Sequence, residues 1–581
     1  MTQYPGTGAT LRRRAGNRLR AWLLSLGRRT FEMRNMPGPR SIGSVNIGSE
    51  MLQGNVKFAG RLVSAPGASV WDIRAPDDAF RVDMHGFLWL DHLAAVASAK
   101  SASVARLWVN QWIGKFGRGH GLAWSADIVG MRQIRFLHHY DDLTRDMSAV
   151  DKLRFDQTLA RQARFLGKRW KSSPAGLPRI EALAALFLSA RVMSALPAPI
   201  GEMTNSLRRQ VARTLTSAGE VDSRNPEELL HLLTLLIWIR DDLTVMDRDT
   251  PAFLSDAIAA MVPVLRSVRH FDGTLARMQG GGSGLIRGLD RALAASGERG
   301  IARDGAMGFA RVTSGRTSLI VDAAKPAKGD ASYEAHASTL AMEVTSGRRP
   351  LIVSCGSGAP FGEDWRKAGR ATPSHSVMGL DGSSSSRLGR TRDILGQKHE
   401  QMETRPSKIE LHRERHLEYI RLEASHDGYL RSHGVLQGRA LELTIDGSAV
   451  AGEDVLLSED RRARAKFDKL VESARKGLPF TLRFHLHPDV EAEFDRELNA
   501  YRLTLKNGEV WLFRHDGSCN MALESSVYLS QEAIKPTATK QIVLTGVAMS
   551  YATRIRWSLA KTPESLKGIR DLVELEAVLS D

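Results

Sequence analysis

Cysteine is almost missing from this chain. Cys355 and Cys519 are the only two among 581 residues, too few for a disulfide framework. Long apolar runs are missing too: no stretch reaches the roughly 18 residues of a membrane span. Near the N-terminus, LRRRAGNRLRAWLLSLGRRT has an apolar run only from Ala21 to Leu26. That is shorter than the roughly 7–15 residues of a signal-peptide core, and no Ala-x-Ala cleavage site follows it. An integral span is therefore excluded and export is unsupported. No GxxxxGK[ST] or GxGxxG opens a helix after a strand, and the triple glycine 280–282 falls between helical stretches, as a hinge. The serine run Ser383–Ser386 lacks a GxSxG frame, which argues against a serine hydrolase. Aromatics make up 6% and are not interleaved with the basic residues. With no recognisable module either, a nucleic-acid partner is not expected.

What the chain does have is apolar bulk and positive charge. Its 42% hydrophobic content is ample for a packed core, and its length suggests two to four domains. The net charge of +16 calls for a polyanionic partner: nucleic acid, anionic lipid or acidic polysaccharide.

The apolar pattern divides the chain. Residues 1–42 are basic, amphipathic near the start, and end at the helix stop Pro37-Gly38-Pro39. They read as a first helix that docks on the fold, with a membrane surface as the alternative. Residues 43–66 read as short extended pieces, Ser44–Ile47 and Val56–Gly60. From Phe87 the period turns helical. Helices are expected over 104–116, 124–140, 150–168, 178–196, 202–218, 226–243 and 251–268, with one more ending near 296. Such an array forms a bundle, solenoid or toroid. From Gly308 strands are expected at 309–313, 318–322, 337–345, 350–354, 417–425, 440–446, 480–487, 499–505, 509–515, 525–530 and 540–546. Asp427-Gly428, Asp446-Gly447, Asn507-Gly508 and Asp516-Gly517 supply turns. Antiparallel sheets stacked as a sandwich follow. The charged piece 459–477 reads as an exposed loop or short helix. The expected division is a basic segment 1–42, a helical domain 43–300 and a β domain 301–581.

Chemistry-bearing residues gather in a few places. Arg132, His138, His139 and Tyr140 close the third helix, and His231 follows Ser223-Arg224-Asn225-Pro226. Ser223 or Asn225 there suits a helix cap with Pro226 in the first turn, and Arg224 adds positive potential beside a helix N-terminus. His336 stands at the start of a half-polar strand, and His375 follows a loop after Cys355-Gly356-Ser357-Gly358. His485 and His487 alternate along a strand and so share a face, a pairing more often structural than metal-binding. Arg, Asn, His and Tyr are the types that β-elimination on a uronate needs. One group neutralises the carboxylate, a base removes the α-proton, and an acid protonates the leaving oxygen.

In order, Glu334-Ala335-His336-Ala337, Pro350–Val353, Pro373-Ser374-His375-Ser376-Val377, Asp381-Gly382, His426–Tyr429 and Arg483–Pro488 resemble the heparinase II/III family. Ser223–Pro226 and Phe271-Asp272-Gly273 resemble a bacterial subgroup of it. The resemblance implies an N-terminal (α/α) toroid-like helical domain followed by a C-terminal antiparallel β-sandwich. It also implies lyase action on an acidic polysaccharide, and a place in the cell envelope or periplasm; without a signal peptide, the cytoplasm is the alternative. Family lyases carry an Asn or His shortly before a Glu on a mid-domain helix, where this chain has Leu177-Pro178-Arg179-Ile180-Glu181. Their tyrosine follows an Arg-x-Pro turn, where this chain has Glu227-Glu228, and the metal-binding Asp expected before Gly356 is replaced by Ser354-Cys355. The resemblance therefore implies His336, His375 and Arg224 as catalytic groups, with Arg132, Tyr140, Arg179 and Asn225 against substrate. No cofactor and no metal ligand set are expected. The alternative is a non-catalytic polyanion- or glycan-binding protein that keeps the fold.

Overall fold

A computed structural model describes residues 7–26, 31–119, 121–194, 196, 199–285, 287–394, 397–474 and 477–566. The first helix, Thr7–Ser25, docks as its pattern suggests. Ala21 and Leu24 are buried, and Asn17 accepts a 2.7 Å hydrogen bond from Arg169 of the helix Ala149–Arg169.

The next stretch departs from expectation. Ser44–Ile47 is not extended: Val45–Leu52 is a helix. The Ser44 hydroxyl accepts from the Ile47 N–H as its cap. Ile47 and Met51, four residues apart, bury one face. Capping and i,i+4 burial outweigh the strand preference of Val45 and Ile47. A hairpin follows, Asn55–Phe58 paired antiparallel with Arg61–Ser64.

Helices then succeed one another from Asp78–Gly86 to Gly288–Ser296. Ala126–His138 and Leu177–Val192 pack so closely that a Cβ at Gly130 would lie 3.0 Å from the Ala182 Cα. Such contact needs a residue with no side chain.

Beyond Gly305 the structure is antiparallel sheet. One sheet has eight strands and the other nine. Phe484 on Leu478–Leu486 lies 4.8 Å, centroid to centroid, from both Phe513 and Trp557 of the other sheet. The two inner faces thus interdigitate as a sandwich. The strand expected over 337–345 exists only as Met342–Ser346. His336 lies in a loop instead, because Ser338 donates to Asp322 (2.6 Å) and Leu340 takes a left-handed φ of 66°. Strands Arg387–Ile394 and Gln397–Thr404 form a separate ribbon. Within the expected loop-or-helix 459–477, Arg461–Ala474 is helical, with Phe467 buried.

Candidate functional site

Where the helical half meets the sandwich, Arg224 holds the two together. Its own φ is 60°, which turns the chain into the helix Pro226–Val245. Its guanidinium reaches into the β half. Nε donates to Met307 O (2.6 Å), Nη1 to Lys325 O (2.9 Å) and Ala324 O (3.2 Å), and Nη2 to Gly308 O (3.1 Å) and the Asp322 carboxylate. A guanidinium has five N–H groups, and these five acceptors take all of them. Arg224 is therefore a junction pin, with no donor left for a substrate carboxylate. Asn225 is the helix cap, accepting from Glu227 N at 2.9 Å and Glu228 N at 3.4 Å.

The other expected substrate contacts are also engaged elsewhere. Arg132 is fully buried, 4.1 Å over the Trp112 ring, and donates to Gln162 (2.8 Å) and His85 O (3.0 Å). Tyr140 donates to Asp156 at 2.8 Å and accepts from Lys152 at 2.7 Å; burial pushes its hydroxyl up to about 12. Arg179 donates to Ser173 O at 2.9 Å. None of these three lines the cleft between the halves.

His336 and His375 do converge, with ring centroids 5.1 Å apart. They meet beneath the surface, 1% and 0% exposed, and neither lines the cleft. Burial drives His336 well below the ordinary imidazole range and His375 down to about 4, so both are neutral near pH 7. His485 is bonded to Ser526 (2.7 Å) and Pro373 O (2.9 Å). Burial pushes the Cys355 thiol up to about 11, far from a reactive thiolate. Among the described residues no cluster of three His, Cys, Asp or Glu could hold a metal, and no helix is long and apolar enough to cross a membrane.

The cleft itself has two chambers, of about 660 and 580 Å³, that share Ile47, Leu88, His92 and Gln531. His92 stands between them. Its Nδ1 accepts the Ser44 N–H at 2.9 Å, so in the neutral ring Nε2 carries the proton. In the second chamber Asp91 accepts from Ser41 (2.8 Å) and His139 (2.8 Å). Burial alone would raise the Asp91 carboxyl, but the His139 bond and the Arg135 charge hold it below the usual range. Arg135 continues to Glu181 at 3.0 Å, and His231 lies 3.8 Å from Glu181. Glu227 accepts from Gly284 N (3.0 Å) and from Gln531 (2.6 Å), although burial raises its carboxyl.

Asp91, His92, Lys57 and Asp83 were missed from sequence. The adjacent Asp91-His92 pair in the helix Trp89–Ala95 was the available signal.

Charge in the cleft is balanced. The first chamber sets Lys57, Arg61 and Arg366 against Asp83, Glu334 and Glu363. The second sets Arg40, Arg135 and Arg291 against Asp91, Glu227 and Asp241. Much of the basic surplus lies elsewhere: apart from Arg40, residues 1–42 hold eight arginines against one glutamate, a surplus of seven out of +16. Among the described residues no tyrosine lines either chamber.

Comparison with known proteins fits this architecture. Residues 298–558 match the family model "Heparinase II/III-like, C-terminal". Over 538 residues the chain is 28% identical to FtsZ-localized protein C of Caulobacter vibrioides, covering 90% of this chain and 89% of that one. The crystal structure of heparinase III superposes with a TM-score of 0.59 at 12% identity, over 97% of this chain and 92% of that one. A heparan sulfate lyase HepC mutant from Pedobacter heparinus gives 0.54 at 13%, over 95% and 88%. The structural likeness is one of fold.

Proposed function

We propose, from the premise that this chain is a heparinase II/III-family protein, that it is a binding protein built on a polysaccharide-lyase fold and does not perform β-elimination. Arg224 carries the reading. Of the two arginines that could neutralise a uronate, Arg224 has all five N–H groups bonded within the protein and Arg179 does not line the cleft. A uronate left unneutralised keeps its α-proton too weakly acidic for removal. The balanced charge of the cleft supports the same reading, because a uronate polymer needs an excess of cations along its path.

The partner proposed is FtsZ. A relative aligned over 90% of this chain is named for its localisation with FtsZ, and the proposal is that this chain binds FtsZ too. Co-sedimentation with FtsZ polymers tests this. The chain should pellet with polymer and stay in the supernatant with unpolymerised FtsZ. Equal recovery in both supernatants contradicts the assignment.

One observation favours a second reading, a lyase for an acidic polysaccharide. His92 and His231 both face the cleft, and an imidazole can serve as acid or base there. In that case the wild-type chain would form unsaturated sugar ends and His231→Ala would abolish them.

A further inference from the structure

The chamber nearest the hairpin holds two groups of opposite charge that do not meet. Asp83 lies on the helix Asp78–Gly86, and its Oδ2 accepts the Ala59 N–H at 2.6 Å. Lys57, on the strand Asn55–Phe58, precedes Ala59 by two residues. Its ammonium donates to Ala533 O and lies 4.3 Å from the Phe361 centroid. Both residues line the same space of about 660 Å³, and among the described residues neither forms an ion pair within 4 Å. Phe58, Trp89 and Pro360 supply apolar wall.

The hairpin turn fixes the Ala59 N–H that Asp83 holds. Ala59 and Gly60 form the hairpin turn with φ of 46° and 74°. Both are positive, the type I′ pattern. A non-glycine residue there is strained by roughly 1–2 kcal/mol, and the Asp83 bond offsets that strain. At Gly60 a Cβ would fall 2.3 Å from Gly362 N, so the hairpin tip is seated against the β half and Lys57 cannot swing with it.

We infer that this chamber binds a zwitterionic small molecule of the α-amino-acid class, with Lys57 on its carboxylate, Asp83 on its ammonium and an apolar side chain against Phe58 and Trp89. One tetrahedral carbon separates the two charges of such a ligand. Burial holds the Lys57 amine down to about 8 and the Asp83 carboxyl up to about 6. Each group is thus short of the counter-charge that a zwitterion supplies. A singly charged analogue leaves one of them unmatched, a loss that discriminates strongly. The inference rests on the reading of the cleft as a binding site.

Calorimetric titration of the full chain with L-phenylalanine, 3-phenylpropionate and phenethylamine tests it. L-phenylalanine should bind saturably, and each singly charged analogue at least about tenfold more weakly. Lys57→Met should erase the preference over phenethylamine and keep the preference over 3-phenylpropionate; Asp83→Asn, which retains an acceptor for Ala59, should do the reverse. Circular dichroism of each variant establishes that it is folded. No saturable binding of L-phenylalanine to the wild-type chain overturns the inference, as do analogues that bind equally well or variants that leave the preferences intact. None of these outcomes alters co-sedimentation with FtsZ or the response to uronate polymers, so failure here is separable from failure of the function proposed above.

Discussion

Arg224 donates to the Asp322 carboxylate across the junction of the two halves, with side chains 11% and 0% exposed. Asp322 also accepts from Ser338 at 2.6 Å and from Gln279 at 2.7 Å. Removing one partner of such a pair strands a buried charge, at about 3–5 kcal/mol. Arg224→Ala should therefore lower the unfolding free energy by about that amount in a denaturant titration. Arg224→Lys should recover only part of it, because an ammonium has three donors in place of a planar fork of five. An Arg224→Ala chain as stable as wild type would mean that the side chain is free for a ligand after all.

The turn Ala59-Gly60 gives an opposed pair of outcomes. Ala59 has φ 46°, and Ala59→Gly should raise stability by about 1 kcal/mol by releasing left-handed strain, less whatever the unfolded chain gains in freedom. Gly60→Ala should destabilise, since its Cβ would meet Gly362 N at 2.3 Å. Thermal melts of the two variants, compared with wild type, should move in opposite directions.

Acid should weaken the fold. Eleven histidines are held below the ordinary value of 6.5, burial being the first cause in each: His85, His92, His138, His231, His336, His375, His399, His426, His433, His485 and His487. In the unfolded chain they take up protons below about 6.5; in the folded chain those at about 4 do not until near pH 4. The unfolded state thus binds more protons across that window, so stability falls as pH is lowered through it. Five carboxyls raised by burial, Asp83, Asp127, Glu227, Asp242 and Glu334, act the other way but are outnumbered. Melts at about pH 7 and about pH 5 should show a clear drop in Tm at the lower pH; an unchanged or higher Tm contradicts the burial of these rings.

Much of the fold was legible because it is periodic. The helix Leu177–Val192 and the strands Phe309–Ser314 and Leu478–Leu486 announce themselves by spacing and by flanking turns. Val45–Leu52 was not, since Ser44-Val45-Asn46-Ile47 alternates like a strand and only its cap marks it as a helix. His336 and His375, singled out by residue type, pack against one another beneath the surface, whereas Asp91, His92, Lys57 and Asp83, which line the cleft, were not read from the sequence. What could not be read was how each side chain is engaged. The acceptors that occupy Arg224 lie 83 to 101 residues along the chain. Lys57, on the hairpin, and Asp83, on the helix Asp78–Gly86, come to one chamber through tertiary packing, with the Ala59 N–H bonded to Asp83. The turn dipeptide Ala59-Gly60 is a weaker hairpin signal than Asn-Gly or Asp-Gly.

The central claim is that a lyase fold here binds without cleaving. Incubating the purified chain with a panel of uronate polymers, heparan sulfate included, and following ultraviolet absorbance from 4,5-unsaturated ends tests it most directly. The account predicts a flat trace for every polymer. A sustained rise with any of them, lost in His231→Ala or His92→Ala, would contradict it.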